Sequence, residues 1–279
     1  PKPQNPKMLK IELNLYYLIL FFGLGACIGS FVNASAYRLV RGQDWIFTKS
    51  KCFACNKKLT FLQNIPIFGY LRYFGNSKCC ASQIPIRYLL VEFAFAIIFI
   101  SHLMVFGGYL TVVYLPFICI LSIIFLTDME AFHIPDIASI GGTAIGLIFV
   151  IYKFPSLPNT TESLIAGGLG FFTIYFINLI YRILRGKNGI GFGDAKLMLM
   201  LGIWMGVENI LVILFIASFL GTLLGISYVI YYSKLDISFS AINNKNILEL
   251  ELPFGCFLVC AALIDHFFNV TNHLYNIYL

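Results

Sequence analysis

Charged residues are scarce in this sequence, and their scarcity excludes an ordinary soluble domain. Asp, Glu, Lys and Arg make up 11% of the 279 residues, whereas hydrophobic residues make up 59%. A soluble globular protein carries about 25% charged residues. The apolar residues form runs of roughly 17 to 25 residues, the length that an α-helix needs to cross a bilayer. Alternating strand patterns are missing outside these runs, so the composition predicts an all-α polytopic membrane protein.

Acidic residues are nearly absent from the one long polar segment, residues 38–87. This segment carries nine Lys and Arg but a single acid, Asp44, and four more basic residues lie between positions 182 and 196. Clustering of basic residues in alternate loops is the positive-inside pattern, which places these loops in the cytoplasm. The net charge of +6 therefore reflects membrane orientation, and no nucleic-acid partner is expected.

Breaks in the hydrophobicity predict about eight transmembrane helices. We expect them near residues 13–37, 88–106, 110–127, 137–152, 164–184, 197–206, 210–232 and 253–270. The run at 197–206 is too short to cross a bilayer unless it begins inside the glycine stretch before it or the bilayer is locally thin. With 38–87 inside, 15 Lys and Arg lie on the cytoplasmic side and 4 outside, and both termini lie outside.

Four regions follow from this pattern. No cleavable signal peptide is expected, because the first apolar run is too long for the apolar core of such a peptide. The regions are an N-terminal tail at 1–12, in which tag residues are an option, a first transmembrane helix at 13–37, a cytoplasmic cysteine-containing domain at 38–87, and a membrane domain at 88–279.

Two carboxylates occupy matching places at the cytoplasmic ends of apolar runs. Asp128 follows the run ICILSIIFLT, and Asp194 lies in the stretch GIGFGDAKL. Two carboxylates that face each other share one proton, so one can take a proton from water while the other polarises a carbonyl. Gly191 and Gly193 remove side-chain bulk beside Asp194, which lets an extended substrate backbone approach. This arrangement predicts aspartic peptidase chemistry.

Two other interpretations of these acids stay open from the residues alone. Carboxylates at helix ends commonly face lipid headgroups or pair with nearby bases, and Lys196 and Arg185 are close to Asp194 in sequence. Paired intramembrane acids also relay protons or cations in transporters. Placement discriminates, because a relay favours the middle of the bilayer, whereas these acids are predicted at its cytoplasmic edge.

Several ordered segments resemble the type IV prepilin peptidase family. The segments are GSFVNASAYRL, CFACNKKL, NIPIFGYLR, IPIRYLLVE, DMEAFHIPD, GKNGIGFGDAKLMLMLG and ELPFGCFLVCAAL, and the likeness runs from about residue 20 to 265. The resemblance implies a multi-pass aspartic peptidase of the bacterial inner membrane. Such an enzyme removes the basic leader of prepilins and pseudopilins at the cytoplasmic face, usually between Gly and Phe. It also implies contact with type IV pilus or type II secretion assembly machinery.

The family's functional residues can be carried over to matching positions. Asp128 and Asp194 match the catalytic aspartates of the family. Asp136 and Glu130 lie in the first of the two motifs and are expected to be secondary, with Asp136 capping or orienting the next helix. Lys196 matches the lysine after Gly-Asp, and we expect it to tune Asp194 electrostatically.

Four cysteines in the polar segment have the character of a small zinc site. Cys52 and Cys55 form a Cys-x-x-Cys pair, and Cys79 and Cys80 follow; a disulfide framework is not expected in the reducing cytoplasm. The family pattern is two such pairs, and Ser77 stands where the third cysteine is expected. Cys79 is then an extra thiol that can substitute as a ligand. The alternative is a metal-free loop packed on the membrane domain.

The resemblance also implies methylation of the new N-terminus with S-adenosylmethionine, in which the cytoplasmic domain takes part. No glycine-rich nucleotide loop identifies a site for this cofactor. Phe61, Gln63 and Leu89 depart from the family pattern, whereas Arg87 and Glu92 agree with it. A family member that has lost its methyltransferase activity is therefore a further alternative.

Overall fold

The structure is a computed structural model that describes residues 15–52, 54–154, 156–186, 189–234, 252–268 and 270–271. The tail predicted at 1–12 and most of the loop predicted at 233–252 lie outside the described residues. The regular secondary structure of the described residues is helical apart from two isolated β-bridges. Its α-helices are α1 (Leu15–Val40), α2 (Phe68–Arg72), α3 (Arg87–Ala131), α4 (Asp136–Ile151), α5 (Thr160–Arg185), α6 (Phe192–Met205), α7 (Val207–Lys234) and α8 (Phe254–Phe268).

Four of these helices are long and apolar enough to cross a membrane. They are Leu15–Val40, Arg87–Ala131, Thr160–Arg185 and Val207–Ser227, while Asp136–Ile151 and Phe254–Phe268 are shorter apolar helices. The protein is thus a multi-pass, all-helical membrane protein, as predicted. The number of eight crossings stays a prediction.

Helix α3 holds two of the predicted spans. Its 45 residues are broken at Gly107, whose backbone angles (φ 78°, ψ 169°) are not helical. Only glycine adopts a positive φ of this kind without strain, because it has no Cβ. The break lies between the predicted spans at 88–106 and 110–127, so the predicted interruption between these two spans is confirmed.

The chain divides into two compact units, which are described separately. The first consists of the described residues up to Asn33 together with Phe47–Thr111. Within it, α1 packs closely on the first part of α3 through small residues: a Cβ added at Gly25 would lie 2.8 Å from the carbonyl oxygen of Phe95. This close approach agrees with the small-residue character of the second half of α1.

Two polar side chains in the first turns of α3 bind other parts of the first unit, the loop segment and α1. The buried Glu92 carboxylate accepts a hydrogen bond of 2.6 Å from the backbone N–H of Ile67, and Arg87 Nε donates to Asn33 Oδ1 at 3.1 Å. Both side chains thus have specific packing partners within this unit.

The second unit, Ala34–Ile46 with Val112 onward, is organised around α6. Helix α6 begins at Phe192, inside the glycine stretch, and has 14 residues. At 1.5 Å per residue it is about 21 Å long, which is shorter than a bilayer core of about 30 Å. Nine of its 14 residues are buried and one, Phe192, is exposed, so α6 is an internal helix of this unit.

Glycines allow the neighbouring helices to enclose α6. A Cβ added at Gly202 would lie 2.5 Å from the backbone carbonyl of Ala166 in α5. On the α4 side, Trp204 Nε1 donates a hydrogen bond of 3.0 Å to the carbonyl oxygen of Gly142. Backbones that approach this closely leave no room for larger side chains.

We therefore expect Gly202→Ala to destabilise the second unit. The added methyl group collides with the backbone of α5 rather than with a movable side chain, which typically costs about 1–3 kcal/mol. Thermal unfolding in detergent should show a melting temperature lowered by roughly 2 to 10 °C. Gly168→Ala is the matched control, because a Cβ at Gly168 meets nothing within 4 Å. Equal melting temperatures for both variants would contradict this packing.

Candidate active site

Asp128 lies in the last turn of α3 and is 5% exposed. The helix ends at Ala131, because Phe132 takes a positive φ of 50° and the chain turns toward α4. Asp128 Oδ2 accepts a hydrogen bond of 2.9 Å from the backbone N–H of Cys256, at the start of α8. The carboxylate is therefore held by a backbone donor from a helix 128 residues further along the chain.

Asp194 is the third residue of α6 and is 8% exposed. Its Oδ2 accepts a hydrogen bond of 3.1 Å from the backbone N–H of Gly191, which occupies the position before the helix. An acid in the first turn is favoured by the helix dipole. Among the described residues, Asp194 Oδ1 is buried and has no hydrogen-bond partner. One oxygen of this carboxylate is thus held by a backbone donor, while the other has no partner among the described residues.

One side chain of the α3–α4 loop contacts both aspartate-bearing neighbourhoods. A Cβ added at Gly193 would lie 3.1 Å from Ile134 Cβ, and one added at Gly255 would lie 2.8 Å from Ile134 Cδ1. The Cβ added at Gly255 would also lie 2.9 Å from Asp128 Oδ2. Asp128 and Asp194 act on each other electrostatically. The structure therefore brings the two predicted acids into one buried region at helix ends.

The residues predicted to support the acids have different partners from those expected. Lys196 Nζ forms an ion pair of 2.6 Å with Asp136 Oδ1, so its partner is Asp136 rather than Asp194. Asp136 is the first residue of α4, its side chain is 63% exposed, and Pro135 occupies the cap position with no side-chain cap bond. Of the two roles predicted for Asp136, capping α4 does not agree with this geometry, and orienting α4 stays a prediction. Its carboxylate instead links the start of α4 to α6 through Lys196.

Glu130, two residues after Asp128, is also paired. Its carboxylate accepts a hydrogen bond of 2.7 Å from Arg41 Nη1, and the Arg41 guanidinium lies 3.5 Å from the centre of the Tyr37 ring. The Glu130 carboxylate near the end of α3 is thus paired with the Arg41 guanidinium, and both residues belong to the second unit.

Sequence reasoning missed three residues of this region, namely Ile134, Gly255 and Cys256. The segment ELPFGCFLVCAAL served there only as part of the family likeness, with no role for its members. A glycine at the start of a short apolar helix was the available signal. Its reason is visible only in the fold, where α8 approaches Asp128 too closely for a side chain.

The four cysteines of the polar segment lie together in the first unit. Their Sγ atoms are all within 4.8 Å of one another, with Cys55 and Cys79 at 3.1 Å and Cys52 and Cys80 at 3.6 Å. Zinc–sulfur bonds of about 2.3 Å in a tetrahedron put the sulfurs about 3.8 Å apart. The cluster therefore fits a tetrahedral metal ion and could bind one.

Two similar turns build this cluster. The first turn is closed by an antiparallel β-bridge between Lys51 and Lys58, and the second by an antiparallel β-bridge between Asn76 and Gln83. Each has a backbone hydrogen bond from its second residue, Cys52 N to Lys57 O and Ser77 N to Ser82 O. Ser77 in the second turn is thus equivalent to Cys52 in the first. The missing thiol at that position is replaced by Cys79, two residues further on.

The Ser77 hydroxyl shapes the electrostatics of the thiols. It lies 3.2 Å from Cys52 Sγ and is the main cause that lowers the pKa of Cys52 to about 5. Contact with Cys79 is the main cause that raises the pKa of Cys55 to about 12. One thiol is therefore ionised at neutral pH, in the form that ligates a metal, before any ion binds.

No residues can be assigned to S-adenosylmethionine on the same grounds. The described part of residues 47–86 contains two separate glycines, Gly69 and Gly75, and neither belongs to a glycine-rich turn before a helix.

Comparison with known proteins identifies two family regions in the chain. Residues 24–106 match the bacterial peptidase A24 N-terminal domain, and residues 115–226 match the type IV leader peptidase family. No solved structure matches the chain.

Three similar proteins all carry the name prepilin leader peptidase/N-methyltransferase. The one from Pseudomonas putida is 28% identical over 89% of this chain and 90% of its own length. The one from Klebsiella pneumoniae is 30% identical over 70% and 87%, and the one from Vibrio cholerae is 31% identical over 69% and 79%. The chain therefore belongs to the type IV leader peptidase family and is a membrane peptidase of that family.

Proposed function

We propose that this protein removes the basic leader of prepilins and pseudopilins by cutting between Gly and Phe, with Asp128 and Asp194 as the catalytic pair. The names of its relatives support the substrate class. The observation that carries the residue assignment is the burial of both acids in one region, with Asp194 Oδ1 free of hydrogen-bond partners among the described residues. Their position at helix ends, together with the family match, argues against a transporter relay.

The pair works with one proton between two carboxyl groups. The ionised carboxylate takes a proton from water, and the resulting hydroxide attacks the carbonyl carbon of the scissile bond. The protonated carboxyl group donates its proton to the carbonyl oxygen, which gives a tetrahedral intermediate with two hydroxyl groups. As the C–N bond breaks, the first carboxyl group passes the proton taken from water to the leaving amine, and the second carboxylate takes back a proton from one hydroxyl group, so the shared proton is restored. No covalent enzyme intermediate forms. The backbone donors from Cys256 and Gly191 keep each carboxylate in place through these transfers.

The glycines beside Asp194 suit a peptide bound in extended form. Gly191 is exposed and Gly193 is half-buried, so a substrate backbone can lie against the start of α6. Lys196 and Asp136 neutralise each other at this edge, and they support the site by linking α6 to α4. The domain division predicted from the sequence is part of this proposal, and in it residues 88–279 form the membrane peptidase domain.

The positive-inside pattern supports a site that faces the cytoplasm from the bacterial inner membrane. The basic segment 38–87 and the basic residues at 182–196 then lie on the same side as the site. Substrates are prepilins anchored in the bilayer, and the partners are the type IV pilus or type II secretion assembly machinery. These assignments rest on charge distribution and family.

The same chain is proposed to methylate the new N-terminus and to hold zinc in the polar segment. S-adenosylmethionine supplies the methyl group, as the second half of the relatives' names suggests. Cys52, Cys55, Cys79 and Cys80 are the proposed zinc ligands, on the strength of their mutual distances. Such an ion cross-links two turns that are too small to build a core of their own.

Replacing either catalytic acid with its amide tests the peptidase assignment. We expect Asp128→Asn and Asp194→Asn each to lower kcat by roughly 10²- to 10⁴-fold, because an amide neither accepts nor supplies the proton. Cleavage of a purified prepilin with a basic leader ending in Gly before Phe measures the effect.

Asp44→Asn is the matched control, since it makes the same change at an exposed acid of the same unit. Near-normal cleavage by either catalytic variant would remove that aspartate from the pair, and Asp136 would become the next candidate. A wild-type protein that fails to cut would reject the proposed substrate class.

Gly255→Ala tests the role of α8 in holding Asp128. The added methyl group would lie 2.9 Å from Asp128 Oδ2, so the carboxylate must shift away from the Cys256 donor. We expect kcat to fall by about 10-fold or more, because a misplacement of about 1 Å at a reacting group is costly. Gly141→Ala is a suitable control, because a Cβ there meets nothing within 4 Å. Unchanged cleavage by Gly255→Ala would show that α8 does not position the acid.

The metal content of the wild type and of two variants tests the zinc proposal. Elemental analysis of the purified wild type should find about one zinc ion per chain. Cys79→Ser should lose most of the bound zinc, whereas Ser77→Ala should keep it, because the thiol rather than the hydroxyl is the ligand. Zinc loss in Ser77→Ala but not in Cys79→Ser would reverse the assignment, and a metal-free wild type would reject the site.

A further inference from the structure

Three successive backbone N–H groups before α6 all donate to side-chain oxygens. Gly189 N and Ile190 N donate to Asn178 Oδ1 at 2.9 and 3.2 Å, and Gly191 N donates to Asp194 Oδ2 at 3.1 Å. Asn178 lies in α5, about two turns before that helix ends at Arg185. One amide oxygen therefore holds the two peptide groups that immediately precede the donor to Asp194.

Apolar contact alone does not fix this segment. Helix α5 ends with Gly186 in the left-handed conformation (φ 70°), and the Tyr181 ring packs on Gly189, where an added Cβ would lie 2.6 Å away. These contacts set how near the segment lies to α5. They do not set the direction in which its N–H groups point, because a ring face accepts many orientations of a glycine backbone.

We propose that Asn178 is a positioning residue for Asp194. By accepting from Gly189 and Ile190, it fixes the rotation of the next peptide group, so that the Gly191 N–H points at Asp194 Oδ2. Asp194 then presents Oδ1 to the reactant. The inference rests on the proposed peptidase function for its consequence in catalysis, but the hydrogen bonds can be tested without substrate.

The surroundings make the Asn178 acceptor hard to replace. Asn178 and Ile190 are half-buried, and Asn178 lies beside exposed apolar side chains such as Ile177. Where water is restricted, an N–H group that loses its partner stays unpaired or turns to find another acceptor. A turn of the Ile190 peptide group moves the Gly191 N–H as well, since the two are adjacent in the chain.

The experiment compares Asn178→Ala, Asn178→Asp and Thr173→Val with the wild type. Asn178→Asp keeps an oxygen acceptor in the same place, whereas Asn178→Ala removes it. Thr173→Val is the matched control on α5, because the Thr173 hydroxyl donates only within its own helix, to Leu169 O. Prepilin cleavage gives kcat and KM, and hydrogen–deuterium exchange of a peptide containing Gly189, Ile190 and Gly191 gives the protection of the three amides.

We expect Asn178→Ala to lower kcat about 10-fold or more with KM changed less than about 3-fold, and to speed the exchange of all three amides. Asn178→Asp should restore protection and most of kcat, and Thr173→Val should resemble the wild type. A merely structural role would not separate the Ala and Asp variants in this way.

Three results would overturn the proposal. One is unchanged protection of Gly191 in Asn178→Ala, which would show that the hydrogen bond to Asp194 does not depend on Asn178. Another is an Asn178→Asp variant as impaired as Asn178→Ala. The third is normal kcat in Asn178→Ala. If the wild type fails to cut the prepilin, the proposed function fails, and amide exchange alone still decides whether Asn178 holds the segment.

Discussion

Two buried carboxylates can persist in a largely apolar protein only if backbone donors hold them, and the second unit is built to supply those donors. Asp128 receives one from Cys256 at the start of α8, and Asp194 receives one from Gly191 just before α6. A buried charged oxygen without such a partner costs several kcal/mol. The first turn of a helix carries unused N–H groups, which explains why both donors come from the starts of helices, α8 for Asp128 and α6 for Asp194.

Close packing follows from that arrangement. Helix α6 carries Asp194 into the interior and is shorter than the bilayer core, so its position depends on neighbouring helices rather than on the membrane. Glycines at 167, 170 and 202 let the backbones of α5 and α6 approach each other, and Gly142 of α4 leaves room for the Met200 side chain of α6. Gly255 allows the same approach of α8 to Asp128. The scarcity of side chains at these points serves both stability and access to the acids.

The cysteine cluster in the first unit shows how a departure from a pattern is absorbed. Ser77 occupies the backbone position at which a ligand cysteine is expected. Its hydroxyl contacts the Cys52 thiol and lowers the pKa of that thiol. The extra thiol of Cys79 reaches into the cluster and restores four sulfurs within 4.8 Å. Sequence alignment alone leaves this outcome open, because adjacent cysteines on one turn can point together or apart.

The sequence by itself determined the helical membrane class, the interruption between the apolar runs that meet at Gly107, and the family. These features depend on local hydrophobicity, backbone freedom and ordered motifs. Only the tertiary structure decided that Cys256 holds Asp128, that Lys196 pairs with Asp136, and that Asn178 holds the amides before α6. Such partners are separated by many residues, and hydrogen bonds between them exist only once packing has fixed the distances.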